Sequence, residues 1–258
     1  MRALILGVVV GLGSCFQAQA CEISLTYSID PIPPLIMGDS EIVPEQPGLA
    51  IELVQRAADD IGCQLHLKRA PTLRVLASVE SGRQDGALLY SYNAERATRF
   101  AYPLKDGVAD SARSVSSQAY VLFRLRGSAL EWDGQRFSGL DMPLGVNRGW
   151  SIVKDLQAHG VTFEEEPSAR RNLAKLRAGR LAGYVTLREA GSEAIRQHGF
   201  EDIEQLAQPF VIKDYFVIFN RDFQARNPQL LERLWLRIAQ LRDEVMGEQA
   251  AKYQILDH

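Results

Sequence analysis

The sequence predicts an α/β protein of two doubly wound lobes joined by a two-segment hinge. Three observations carry that expectation: one pattern of elements occurs twice, strands alternate with helices, and a polar stretch separates the two copies. Residues 51–89 read IELVQRAADDIG, CQLHLKRAP, TLRVLASVESGR, QDGALL, and residues 151–186 read SIVKDLQAHG, VTFEEEP, SARRNLAKLRAGR, LAGYVT. At an offset of 97 residues Leu76, Ala77, Gly82, Arg83 and Gly86 meet Leu173, Ala174, Gly179, Arg180 and Gly183. Each copy is a helix stopped by Gly, a short strand, a Pro followed by Thr or Ser at a helix start, and a second helix stopped by Gly-Arg. Two like lobes make a cleft, where small ligands bind.

In chain order, residues 1–20 stand apart. Arg2 precedes the apolar run ALILGVVVGLG, and Ala18-Gln19-Ala20 has the small-x-small form of a secretory cleavage site. Strands are expected over 23–27, 64–68 and 86–90, then 144–146, 161–164 and 181–186. Between 48 and 62 the apolar positions 50, 53, 54, 57, 58 and 61 follow helical spacing up to Gly62. Residues 105–118, KDGVADSARSVSSQ, read as a polar connector, and 119–124 as a strand. Residues 128–138, with Trp132, Asp133 and Gly134, look like a hairpin excursion. Asn227 and Pro228 cap a long helix whose Leu231, Leu234, Trp235, Ile238 and Val245 share one face up to Gly247. If that helix packs on the first lobe, the second is an insertion reached by two crossings, near 110–120 and 209–216. The first lobe then comprises 21–110 and 216–258, and the second 111–215.

Removal of residues 1–20 leaves 238 of the 258 residues and moves the formal charge from −3 to −4. So mild an acidity gives no case for a nucleic-acid partner. No later run approaches the roughly 18 apolar residues of a membrane span. An exported, periplasmic chain is expected, and as a monomer. Cys21 and Cys63 remain as an even pair in an oxidising compartment, each opening a strand, and are expected to be bonded. Leu12-Gly13-Ser14-Cys15 offers another route, lipid attachment at Cys15.

In doubly wound sheets ligands sit beyond the carboxyl ends of the strands. That rule selects the loops 28–35, 90–96, 147–151 and 187–191. They and the strand ends offer Tyr27, Tyr90, Ser91, Tyr92 and Trp150 as walls, Thr186 as a strand end, and Arg96 and Arg148 as cations for a carboxylate. Arg96 has a plain alternative as a solvated helix residue beside Glu95 and Arg99, and Glu189 is either an ammonium acceptor or ordinary helix-start chemistry. Arg74, near a helix start after Pro71, is a further candidate. No metal or cofactor is expected: His66, His159, His198 and His258 are scattered, and no nucleophile elbow or phosphate loop occurs.

The stretches GLAIELVQRAADDIG and APTLRVLASVESGRQDGALLYSYNAERATRFAYP resemble the bacterial extracellular solute-binding proteins of family 3, the polar amino-acid-binding type of periplasmic binding protein. The resemblance extends to GVNRGWS and the final EQAAKYQIL. It implies a two-lobed binding protein, serving a membrane permease or a sensor, with Arg96 gripping a ligand carboxylate. Where members place an acid for the ligand ammonium, this chain has Leu187 and Arg188, with Glu189 nearby. The resemblance also admits an enzyme, a cyclohexadienyl dehydratase, for which Glu189 would be the general acid, and a sensory protein with a degenerate cleft.

Overall fold

The computed structural model describes residues 21–248 and 250–253. The signal reading of residues 1–20 and the attachment reading of Cys15 lie outside them. The first lobe opens with β1 (Cys21–Ser28), α1 (Leu49–Asp60), β2 (Cys63–Ala70), α2 (Thr72–Glu80), β3 (Gly86–Ser91) and α3 (Ala94–Arg99). A long strand, β4 (Ser116–Leu125), leads into β5 (Leu144–Asn147), α4 (Ile152–Ala158), β6 (Phe163–Glu166), α5 (Ala169–Arg177), β7 (Gly183–Leu187) and α6 (Arg188–His198). A second long strand, β8 (Val211–Asn220), returns, followed by α7 (Arg221–Arg226) and α8 (Pro228–Glu248).

The sequence repeat is a repeat of topology. β1 pairs in parallel with both β2 and β3, and β5 pairs in parallel with both β6 and β7. Gly86 and Gly183, which open the third strand of each unit, share a steric reason. A Cβ at either would collide with its surroundings, the Ile218 carbonyl and Leu25 at Gly86, the Leu130 side chain at Gly183.

The sheet runs in the order β6-β5-β7-β4-β8-β3-β1-β2. The two long strands carry the chain between the lobes. β4 pairs with β8 over 116–120 and with β7 over 120–123, whereas β8 continues along β3 from Tyr215 to Phe219. The crossing is therefore an antiparallel ribbon, and the polar stretch is less of a connector than its composition suggests. Leu104–Lys105 pairs with Val108–Ala109, and β4 begins at Ser116, before the expected Ala119.

α8 packs against α1 on the first lobe, burying Leu231, Leu234, Trp235, Ile238 and Val245; the Trp235 indole donates to the Val217 carbonyl (2.8 Å). The excursion is a hairpin, Glu131–Trp132 against Phe137–Ser138. Trp132 packs on Phe137 and Phe210 and donates to the Pro209 carbonyl, which fixes the hairpin to the segment entering β8. Cys21 and Cys63 are in register at the first pair of β1 and β2 and form a disulfide.

Candidate functional site

A cavity of about 60 Å³ lies between the lobes, among the carboxyl ends of β1, β3, β5 and β7. On the usual volume of a water-sized group that is space for about four or five such groups. The lobes meet across it: Glu95 of α3 pairs with Lys154 of α4, and Leu73 of α2 lies against Gly149.

A break in β3 shapes the first-lobe wall. The register with β8 shifts between Phe216 and Ile218, so Leu88 and Leu89 stand opposite Val217, and Leu89 takes a left-handed φ of 60°. A leucine there is uncommon, and such strain gathers at ligand sites. Leu88, Leu89, Tyr90 and Ser91 all line the cavity. The chain then turns into α3, capped by Asn93, whose Oδ1 accepts from the Arg96 amide at 2.7 Å. That cap points Arg96 inward. Its guanidinium donates to the Ser91 carbonyl (2.5 Å), lies 5.4 Å from the Tyr90 ring centre and is only 9% exposed. The side chains around it, Tyr90, Ser91 and Tyr102, are buried. Burial pushes the Tyr102 phenol up to about 12 against the opposing pull of Arg96, and burial likewise raises Tyr90.

Beside it stands a short hydroxyl chain. Ser28 and Thr72 hydroxyls are 2.7 Å apart, Thr72 Oγ1 donates to Asp30 Oδ2 (2.5 Å), and the Asp30 amide donates to Ser28 Oγ (2.9 Å). The second lobe contributes Gly149, Trp150, Ser151 and Leu187. Trp150 meets the Tyr120 ring edge-on at 6.3 Å. Asn147, at the end of β5, is held by Asn172 (3.0 Å) and Tyr184 (2.9 Å), which positions the loop that follows. The hinge ribbon supplies Tyr120 and Tyr215, their hydroxyls 3.0 Å apart. Next to them Lys213 pairs with Asp155; burial lowers its ammonium pKa, and the hydrogen bond to Asp155 opposes that shift.

Of the residues singled out in the sequence, Arg96, Tyr90, Ser91 and Trp150 line this cavity. The others are elsewhere. Tyr27 alternates to the buried face of β1, where its ring lies against Arg69. Tyr92 packs edge-on against Tyr102 and borders a neighbouring groove with Lys213. Arg74 is exposed on α2, in a groove with Lys68 and Arg83. Arg148 and Glu189 are exposed, and Thr186 is buried under its own lobe, one residue short of Leu187. Sequence reasoning passed over Thr72, Tyr120 and Tyr215, and did not single out Ser28 or Asp30 within their loop. Pro71 before Thr72 was the one local signal; the tyrosines come together only because the two crossing strands pair. Among the described residues no group of three or more His, Cys, Asp or Glu could hold a metal ion, and no helix is long and apolar enough to cross a membrane.

No protein-family model matches the chain, and no curated protein resembles it significantly in sequence. Solved structures do. A histidine kinase sensor domain similar to periplasmic binding proteins superposes with a TM-score of 0.71 at 18% identity, over 90% of this chain and 95% of that one. The GluR0 ligand-binding core from Nostoc punctiforme, in complex with L-glutamate, gives 0.68 at 14% identity, over 90% and 99%. An ABC uptake transporter substrate-binding protein from Streptococcus pneumoniae with bound histidine gives 0.67 at 15%, over 90% and 92%. The likeness, at 14 to 18% identity, is one of fold: this chain has the type 2 periplasmic-binding-protein fold, with two α/β lobes of repeated topology joined by two paired strands.

Proposed function

We propose that the protein is an exported solute-binding protein that closes its lobes on a small carboxylated ligand and presents the closed form to a membrane permease or sensor. One observation carries this reading. Arg96 is a cation nine-tenths buried against the interlobe cavity, and no carboxylate lies within ion-pair distance of it among the described residues. A buried charge is costly unless compensated, and a guanidinium takes a carboxylate through two parallel hydrogen bonds, so a ligand anion is the natural counter-charge. The structural neighbours that bind glutamate or histidine support an amino-acid-like solute. The signal-like residues 1–20 and the disulfide support a periplasmic site of action. A dehydratase gains no support, because Glu189, its candidate acid, is exposed and does not line the cavity.

Removing one partner of a desolvated charge pair commonly costs about 2 to 5 kcal/mol. Arg96→Ala is therefore expected to weaken ligand binding by about 30-fold or more in calorimetry, while Arg99→Ala, on the exposed side of α3, changes it little. Native mass spectrometry of the purified protein identifies a retained solute, and its survival on incubation separates binding from catalysis. Equal affinities for Arg96→Ala and wild type return Arg96 to a structural role.

A further inference from the structure

Arg96 and Asp30 are the two charged side chains that line the cavity among the described residues, and they do not pair with each other. Opposite charges in a poorly hydrated space attract strongly when nothing else compensates them. Here each is held in place by its own hydrogen bonds. Arg96 is fixed by the Ser91 carbonyl on one side. Asp30 is fixed by the hydroxyl chain, whose hydrogens have one consistent arrangement. Thr72 Oγ1 gives its hydrogen to Asp30 Oδ2, so the hydrogen shared between Ser28 and Thr72 comes from Ser28, and Ser28 Oγ accepts the Asp30 amide. Every hydroxyl hydrogen of the chain runs toward the carboxylate. Asp30 is thereby an oriented acceptor, and whatever meets it in the cavity brings an N–H donor.

The origin of these groups is one-sided. Ser28, Asp30, Thr72 and Arg96 all belong to the first lobe, whereas the second lobe lines the cavity with Gly149, Trp150, Ser151 and Leu187, none of them charged. Glu189, the sequence-based candidate for an ammonium partner, is on the exposed start of α6.

Resting on the reading of Arg96 as a carboxylate anchor, we infer that Asp30 accepts the ammonium group of the ligand. Both charges of a zwitterion are then read by the first lobe alone, and the second closes over them as an uncharged lid led by Trp150. Recognition of charge precedes closure in this arrangement, and the ligand class is the small amino acids rather than plain carboxylic acids.

The test titrates wild-type protein by calorimetry with the common L-amino acids. For the tightest binder it adds the matched desamino acid, which lacks the ammonium group, and the matched primary amide, which lacks the carboxylate; for alanine these are propionate and alaninamide. The desamino acid is expected to bind about 10- to 100-fold more weakly, the range for a lost hydrogen bond to a charged group. In Asp30→Asn that difference shrinks to within about threefold. Thr72→Val, which keeps the carboxylate and removes its orienting donor, shows a smaller loss in the same direction. Equal wild-type affinity for amino acid and desamino acid overturns the role of Asp30 and leaves the carboxylate reading intact. Loss of preference for the acid over the amide is expected of Arg96→Ala; an unchanged preference overturns both. Heat from none of the amino acids, with heat from propionate, overturns the zwitterion inference alone. The wild-type comparison needs no variant to fold, and unchanged melting of Asp30→Asn validates the other arm.

Discussion

Two arginines of the first lobe, Arg69 and Arg96, are buried, each lies over a tyrosine ring, at 5.3 and 5.4 Å, and neither pairs with a carboxylate among the described residues. They differ in what their donors meet. Arg69, 1% exposed at the end of β2, spreads its terminal nitrogens over the carbonyls of Gly38 (2.7 Å), Ile29 (3.2 Å) and Ile42 (3.4 Å). It ties the 29–48 loop to the sheet edge, and its charge is met by carbonyl dipoles and by the nearby carboxylates of Asp39 and Asp30, beyond ion-pair distance. Arg96 reaches the Ser91 carbonyl (2.5 Å) and, more loosely, the Ser91 hydroxyl (3.5 Å), has the Tyr102 phenol beside it, and otherwise borders a cavity. Burial alone does not distinguish a structural arginine from a ligand-binding one; the number of donors already committed within the protein does.

If that distinction holds, perturbing the region of Arg69 moves stability and perturbing that of Arg96 moves binding. The largest effect is expected at the other end of the same strand pair, where Cys21 and Cys63 close a 42-residue separation. In the chain-entropy model the bond restricts the unfolded state by about 4 kcal/mol. The Cys21→Ser, Cys63→Ser double variant should lose about that much in urea unfolding and keep its ligand affinity. Arg69→Ala comes next. It strips several buried carbonyls of their donors and is expected to cost about 3 kcal/mol, again with near-normal binding by whatever fraction stays folded. A stable Arg69→Ala protein with lost binding would reverse the assignments of the two arginines.

The pH dependence sharpens the Arg96 side. Burial first, opposed by Arg96, holds the Tyr102 phenol at about 12 in the folded protein against 10.0 when free. A raised folded pKa means stability present below pH 10 and lost as pH rises through 12. Two units correspond to roughly 2 to 3 kcal/mol. Tyr102→Phe gives up the hydrogen bond to the Ser91 carbonyl (2.9 Å), so it should start slightly less stable at pH 8 yet lose less between pH 10 and 12. Arg96→Ala should move the Tyr102 titration, read by phenolate absorbance, further upward, because the charge that lowers it is gone.

How much of this was legible in the sequence follows from the range of the interactions. The repeat was legible because helix stops, Pro-Thr and Pro-Ser starts and strand glycines are local signals, and the paired topology of β1–β3 and β5–β7 matches it. The place of Arg96 at the cavity was legible from its position beyond β3. Tyr27 was misread because a strand alternates faces, and which face looks on the cleft is settled by what packs there, here Arg69. Asp30 and Thr72 lie 42 residues apart and form one acceptor only after β1 and α2 are brought together. Tyr120 and Tyr215, 95 apart, depend in the same way on the pairing of the crossing strands. Glu189 was a reasonable candidate by position, but the first turn of α6 leaves it in solvent.

The smallest expected effect concerns what holds the lobes together. Glu95 and Lys154 join α3 to α4 across the cleft mouth, yet their side chains are 65% and 51% exposed. Exposed pairs of this kind contribute about 0 to 1 kcal/mol and are screened by salt. Lys154→Ala should therefore change the ratio of closed to open forms by less than about fivefold. Distances between a label on each lobe, measured with and without a bound solute, report that ratio. High salt on the wild type should mimic the substitution. Closure driven by Arg96 and its ligand predicts that saturating solute restores the closed distance in Lys154→Ala. A variant that stays open at saturation would move the closing force from the buried charge in the cavity to the exposed pair at its rim.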